Sequence, residues 1–213
     1  MNTLEELYKA VKGEESRLSK FIHLFDVSKL DISDFESFKR SLERYLNEKF
    51  RIEERLELLS SKSLPLNSVI LSEILGVKKS EASLLLRMIK ELGIIIELRA
   101  FKIVKSDEER IFLEILNRGL MKFSDILSKY KNAREIVLSL WKQKKIRIID
   151  FEKVGISPED IEDYDRIELD DVKIDRKFIE IWYDEFSGKE YGRLLIPINA
   201  KIMVNVDEII RES

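Results

Sequence analysis

Lys78, Lys79, Ser83, Arg87 and Lys90 recur at spacings that a helix gathers onto one side. Ammonium, guanidinium and hydroxyl groups in such a row suit the phosphate oxygens and base edges of double-stranded DNA. A second basic set, Arg134, Lys142, Lys144, Lys145 and Arg147, follows about fifty residues later, densest in "KQKKIR". Interleaved with the first set are Leu84 and Met88, an i, i+4 apolar pair on the face expected to point outward. Such a pair suits a protein partner rather than a nucleic acid, as does Glu81 beside it.

The charge distribution sharpens the question. The chain of 213 residues carries a net charge of −3, yet residues 118–149 hold nine bases and two acids. Residues 62–105 and 107–150 are net positive and residues 151–213 net negative, at −8. Phosphate contacts supply most sequence-independent affinity for DNA, so the two basic regions are where a duplex is expected. The segment 157–175 carries nine acids in nineteen residues. It reads as a solvated linker, with cation binding and masking of the basic surface as the alternatives.

The elements that must position these residues follow from periodicity. Leu4, Leu7, Tyr8 and Val11, then Leu18, Phe21, Ile22 and Phe25, fall at helical spacing. Ser33 and Glu36 form a capping-box pattern opening a helix over about 34–60, marked by Phe35, Phe38, Leu42, Tyr45, Lys49, Ile52, Leu56 and Leu59. That helix packs on the first as a hairpin or forms a coiled-coil arm for another chain. "SSKSLPLN" at 60–67 marks a boundary, and a duplication follows: "LSEIL" at 71–75 is echoed by "FSDIL" at 123–127. Ala82, Leu85, Leu86 and Ile89 match Ala133, Ile136, Val137 and Leu140 in the same way. β-prone runs close the two repeats at 94–104 and 146–151. "KFIEIWYDEF" and "RLLIPINAKIMVNV" predict a small β unit at the end, with Gly188 and Gly192 as turn formers.

The stretch "LSEILGV", "KKSEASLLLRMIKELG" and "IIIELRAFKIV" resembles the winged helix-turn-helix superfamily, especially regulators of the MarR and ArsR kind. The three pieces stand for first helix and turn, recognition helix, and wing. Residues 108–151 resemble a second copy, and together the copies cover about 90 residues. Gly76 permits the tight turn between the helices, Ser80 is placed to cap the second helix, and Ala82 lets the two cross closely. The resemblance implies DNA binding, although winged helices also serve as protein-binding modules. "GKEYGRLLIPINAKIMV" faintly resembles the small β domain of some GINS replication subunits.

The expected class is therefore mainly α with small β. The expected regions are a helical region 1–61, winged helices at 62–105 and 106–152, and an acidic linker with a β unit at 153–213. Other chemistry has little support. Without cysteine, disulfides and thiolate metal sites are excluded. His23, the one histidine, sits among apolar residues, and no P-loop, dinucleotide fingerprint or HExxH motif occurs. Trp141 and Trp182 read as core or interface anchors. No catalytic residue, metal or cofactor is expected. No apolar run spans a membrane and no signal peptide opens the chain, so a cytoplasmic location is expected. The single glutamine and threonine beside abundant Lys, Glu and Ile suit a heat-adapted source. Two functions compete: a tandem winged-helix DNA-binding protein of transcription, replication or chromosomes, and a non-catalytic scaffold subunit of a DNA-processing complex. A dimeric ligand-responsive regulator is a third possibility.

Overall fold

The computed structural model describes residues 2–94, 106–170 and 174–211. Helix dominates, and the strands gather in two small three-stranded sheets, which is the mainly α class expected. The chain divides into two units, 1–101 and 102–213.

In the first unit, α1 (Thr3–Val11) is capped by Asn2, whose side chain accepts the Glu5 N–H at 2.8 Å. The helix expected over 34–60 is two helices, α2 (Phe35–Phe50) and α3 (Ile52–Ser61). Arg51 divides them in a left-handed conformation, φ 52° and ψ 46°. Asn47 holds the break: its amide donates to the Glu53 carboxylate and its oxygen accepts the Glu53 N–H. The start also differs, because Asp34 rather than Ser33 accepts the capping N–H, from Ser37 at 2.8 Å. Phe38, Leu42, Tyr45 and Leu46 are buried in one core with Leu4 and Leu7. Helix α2 therefore packs within its own chain, and residues 1–61 share their core with the first repeat.

That repeat contributes α4 (Ser68–Leu75), capped by Asn67, and α5 (Lys79–Glu91). Gly76 joins them at φ 66°, a left-handed position where glycine meets no Cβ penalty. Capping of α5 differs from expectation. Lys78 occupies the cap position, and the Glu81 carboxylate reaches back to its N–H at 2.9 Å; Ser80 is already inside the helix. The β-prone run at 94–104 lies, apart from Ile94, outside the described residues.

The larger correction concerns Leu84 and Met88, expected outside as a partner-binding pair. They are 4% and 0% exposed. The N-terminal elements cover them: α1 packs on α5, and the Glu91 carboxylate accepts the Thr3 and Leu4 N–H groups at 2.9 and 2.8 Å. The Glu81 carboxylate also bonds His23 Nε2, 2.9 Å away in the 3-10 segment Ser19–Leu24. Periodicity within 71–96 shows one buried stripe; a second arises because another part of the chain packs there.

The second unit repeats the plan. Helix α6 (Asp107–Arg118) leads to β1 (Leu120–Lys122), α7 (Phe123–Leu127), α8 (Ala133–Lys142) and β2 (Ile146–Ile148). "LSEIL" lies on α4 and "FSDIL" on α7. The echoed residues Ala82, Leu85 and Ile89 on α5, like Ala133, Ile136, Val137 and Leu140 on α8, are buried. Strands β1 and β2 do not pair with each other. After α9 (Ile149–Lys153), the chain builds β3 (Ile167–Glu168), β4 (Ile179–Asp184) and β5 (Lys189–Leu194), antiparallel in the order β3-β5-β4. It then returns as β6 (Lys201–Val204), antiparallel between β1 and β2, before α10 (Val206–Arg211).

The expected C-terminal β run is thus divided between two sheets, and residues 106–152 do not close their own. Edge-on aromatic contacts Trp141–Phe151 and Phe151–Phe178 run from α8 toward the start of β4. Gly188 lies in the hairpin turn at φ 68°, but Gly192 lies within β5. A Cβ there would stand 2.2 Å from the tip of buried Ile179, so its role is close packing rather than turning.

Burial of Leu84 leads to a stability prediction. Leu84→Ala should cost about 2–5 kcal/mol in chemical denaturation, whereas truncating a surface leucine costs little. A loss within experimental error would place the side chain outside the core.

Candidate functional site

The cations singled out from sequence fall into two classes. In the first unit Lys78, Lys79, Arg87 and Lys90 are exposed and Ser83 is half-buried. With the opposite side of α5 packed away, Lys79, Ser83, Arg87 and Lys90 form a single outward row. Among the described residues, Lys79, Arg87 and Lys90 form no ion pair. Arg87 also lines a groove of about 390 Å³ with Arg17 and Lys20. The carboxylates there are occupied: Glu91 caps α1, and Glu6 accepts from Ser16.

In the second unit the cations are engaged by partners from their own chain, Arg134 nearly buried and the others half-exposed. The Arg134 guanidinium, nearly buried, donates to the Leu194 carbonyl at 2.8 and 3.0 Å and pairs with Asp165 at 2.9 Å. Lys142 donates to the carbonyls of Pro158 and Ile161. Lys144 pairs with Glu159 at 2.7 Å, and Arg147 makes a two-bond clamp on Glu152. Lys145 lies over the Phe112 ring, 5.6 Å from its centre.

The acidic stretch meets three of them, Arg134, Lys142 and Lys144. Residues 157–170 form a 3-10 turn at Pro158–Asp160, bury Ile161 and Ile167, and end in β3. This corrects the linker expectation. Its apolar residues, spaced among the acids, anchor it, and its acids then meet the basic groups of α8 and the loop after it. The Lys144 ammonium, followed by the Ser157 hydroxyl, holds the Glu159 carboxyl down to about 2, and Glu159 in turn raises Lys144. Asp165 and Glu159 of this stretch, both half-exposed, pair with Arg134 and Lys144.

A different surface was not singled out from sequence. Strand β4 of the β4–β5 hairpin is open to solvent: beyond Ile179, every residue through Tyr183 is exposed. Trp182 is 37% exposed, Tyr183 is 62% exposed, and Ile181 and Phe186 are also open to solvent. Trp182 stacks on Tyr191, which carries the Arg166 guanidinium 4.2 Å from its ring centre. The signal was present in "IWY". Three consecutive apolar residues in a strand put apolar groups on both faces, which a one-sided sheet cannot bury.

Strand β4 is also the outer strand of its sheet, bonded to β5 alone among the described residues. The Leu195 N–H donates to the Phe178 carbonyl at 2.7 Å, and the Gly188 N–H to that of Asp184 at 2.8 Å. Antiparallel pairing alternates, so residues 180, 182 and 184 face β5. The N–H and C=O groups of Ile179, Ile181 and Tyr183 point away from it.

Among the described residues, no three His, Cys, Asp or Glu side chains converge as a metal site. No helix of the described residues is long and apolar enough to cross a membrane.

The Glu159 geometry sets a pH dependence. A carboxyl lowered on folding stabilises the fold above its ordinary value of 4.5, and that contribution disappears as pH falls through about 2. Glu159→Gln should therefore flatten the fall in melting temperature between those values relative to the parent protein. Parallel acid profiles for the two proteins would contradict the pairing.

Comparison of the chain with protein-family models, curated proteins and solved structures finds no match, so its function must be argued from these surfaces.

Proposed function

We propose that the chain is a non-catalytic interaction protein, built on two winged-helix-type units, which docks a protein partner through the β4–β5 hairpin. The observation that carries this reading is the outer edge of β4, unpaired among the described residues, with Ile181, Trp182 and Tyr183 exposed along it. Natural sheet edges are ordinarily protected by charge, proline or a covering element. Here the edge is apolar and aromatic, the residue class enriched at interface centres. Fully burying each such side chain is worth roughly 1.5–3 kcal/mol. The winged-helix part rests on the repeated helix-turn-helix and on the β1-β6-β2 sheet. The excursion from α9 through β5 stands where a short wing would close that sheet.

Engagement of Arg134, Lys142, Lys144 and Arg147 by acids and carbonyls of their own unit argues against a cationic DNA surface spanning both repeats. Placing the photo-crosslinking residue p-benzoylphenylalanine at Tyr183 in cells should give a covalent adduct of defined mass. The same residue at exposed Glu54 should give none. No adduct from Tyr183 would remove the basis for the reading.

One observation favours a second reading, duplex DNA on the first unit: the outward row Lys79, Ser83, Arg87 and Lys90, whose three cations form no ion pair among the described residues. Under it, neutralising Lys79, Arg87 and Lys90 together weakens binding in fluorescence anisotropy. The slope of log affinity against log salt becomes shallower by about 0.9 for each phosphate that the protein no longer neutralises. Neutralising Lys142, Lys144 and Lys145 leaves binding unchanged. The absence of duplex binding at low salt excludes this reading.

A further inference from the structure

The edge of β4 has a pattern that selects its occupant. Arg176 and Lys177 precede the strand, Glu180 lies within it, and Asp184 and Glu185 close it. One end is basic and the other acidic. An antiparallel strand of the same sequence therefore presents opposite charge at both ends. The backbone imposes a second condition: Ile179, Ile181 and Tyr183 must pair with residues whose N–H and C=O groups also point outward.

From these two conditions, and resting on the reading of the hairpin as a docking surface, we infer that the occupant is a second copy of this chain. The two β4 edges pair antiparallel about a two-fold axis at Ile181. Ile181 then faces its own copy, and Ile179 faces Tyr183 of the second copy. Glu180 lies opposite Trp182, and the basic 3-10 turn Arg176–Phe178 before the strand meets the acidic start of the hairpin turn at Glu185, just beyond the strand, twice. The two neighbouring registers are worse. An axis at Trp182 sets Glu180 against Asp184, and an axis at Glu180 sets that residue against itself, with like charges directly opposed. The pairing is isologous, as closed symmetry requires, and joins two three-stranded sheets into one. A six-residue edge buries less than the roughly 800 Å² per partner of a standard interface. The dimer is accordingly concentration-dependent.

The test uses the full chain. Light scattering and sedimentation from micromolar to near-millimolar concentration should show the mass rising toward twice that of one chain. Lys177→Glu or Glu185→Lys alone should weaken the dimer about tenfold, and the double variant should restore it, a rescue that only this end-to-end pairing provides. Because the chain has no cysteine, Ile181→Cys supplies a unique thiol. A short bismaleimide should link it to its own copy. Ser187→Cys should remain unlinked, because it lies in the turn beyond Asp184, whose own two copies are already about 20 Å apart at 3.3 Å per residue. A monomer across the whole range overturns the inference, as does a dimer indifferent to both charge changes and not linked at position 181. If the monomer still gives a Tyr183 adduct with a different protein, self-pairing fails while the docking reading stands. If neither a dimer nor an adduct forms, both fail.

Discussion

Strand β6 is the constraint around which the second unit is organised. Strands β1 and β2 are three residues each and share no hydrogen bonds; each is satisfied only through Lys201–Val204 between them. A three-residue strand has too few ladder bonds and too little apolar face to stand alone. The unit therefore cannot close until the chain has travelled from Ile149 to Ala200 and returned. Ile202 and Val204, fully buried, complete the core that α6 and α8 begin.

That excursion explains the fate of the basic residues. A segment tethered at both ends must lie over the body that tethers it, and this one carries Glu159, Asp165 and Glu168. Arg134, Lys142 and Lys144 lie beneath it. Exposed pairs of this kind add little stability individually, but they consume donors that a polyanion would need. The basic density of 118–149 is real as composition and largely spent as chemistry. In the first unit no such segment covers α5 on its Lys79 side among the described residues, so the same residue types remain open there.

The excursion also creates the hairpin. Its base is fixed by Phe178 and Ile179 in the aromatic and aliphatic core, and by Gly192, which leaves room for Ile179. Beyond that base the residues of β4 from Glu180 to Tyr183 are solvent-exposed, while Tyr191 on β5 is buried. Trp182 is supported from below by Tyr191 and Arg166 rather than enclosed. A packed base with an apolar outer edge, unpaired among the described residues, presents both backbone and side-chain groups to a neighbour, which is how strand addition combines affinity with register.

Local chemistry was legible from the residues alone. The helix-turn-helix at Gly76, the echo between α4–α5 and α7–α8, and the mainly α class follow from period and turn residues, which act over a few positions. Even there, the caps shifted by one or two residues: Asp34 rather than Ser33 caps α2, and α5 opens at Lys78 rather than Ser80, with the Glu81 carboxylate on the Lys78 N–H. Asn47 cut one long helix into two through a bond to Glu53 that periodicity does not register. Long-range packing decided the rest. Leu84 and Met88 looked outward until α1 covered them, and the acidic stretch looked like a linker until Ile161 and Ile167 anchored it. The last β run looked like one unit until β6 left it to join β1 and β2. A sequence specifies which surfaces must be buried, but which of them meet depends on contacts between residues far apart in the chain, and those are settled only when the whole unit closes.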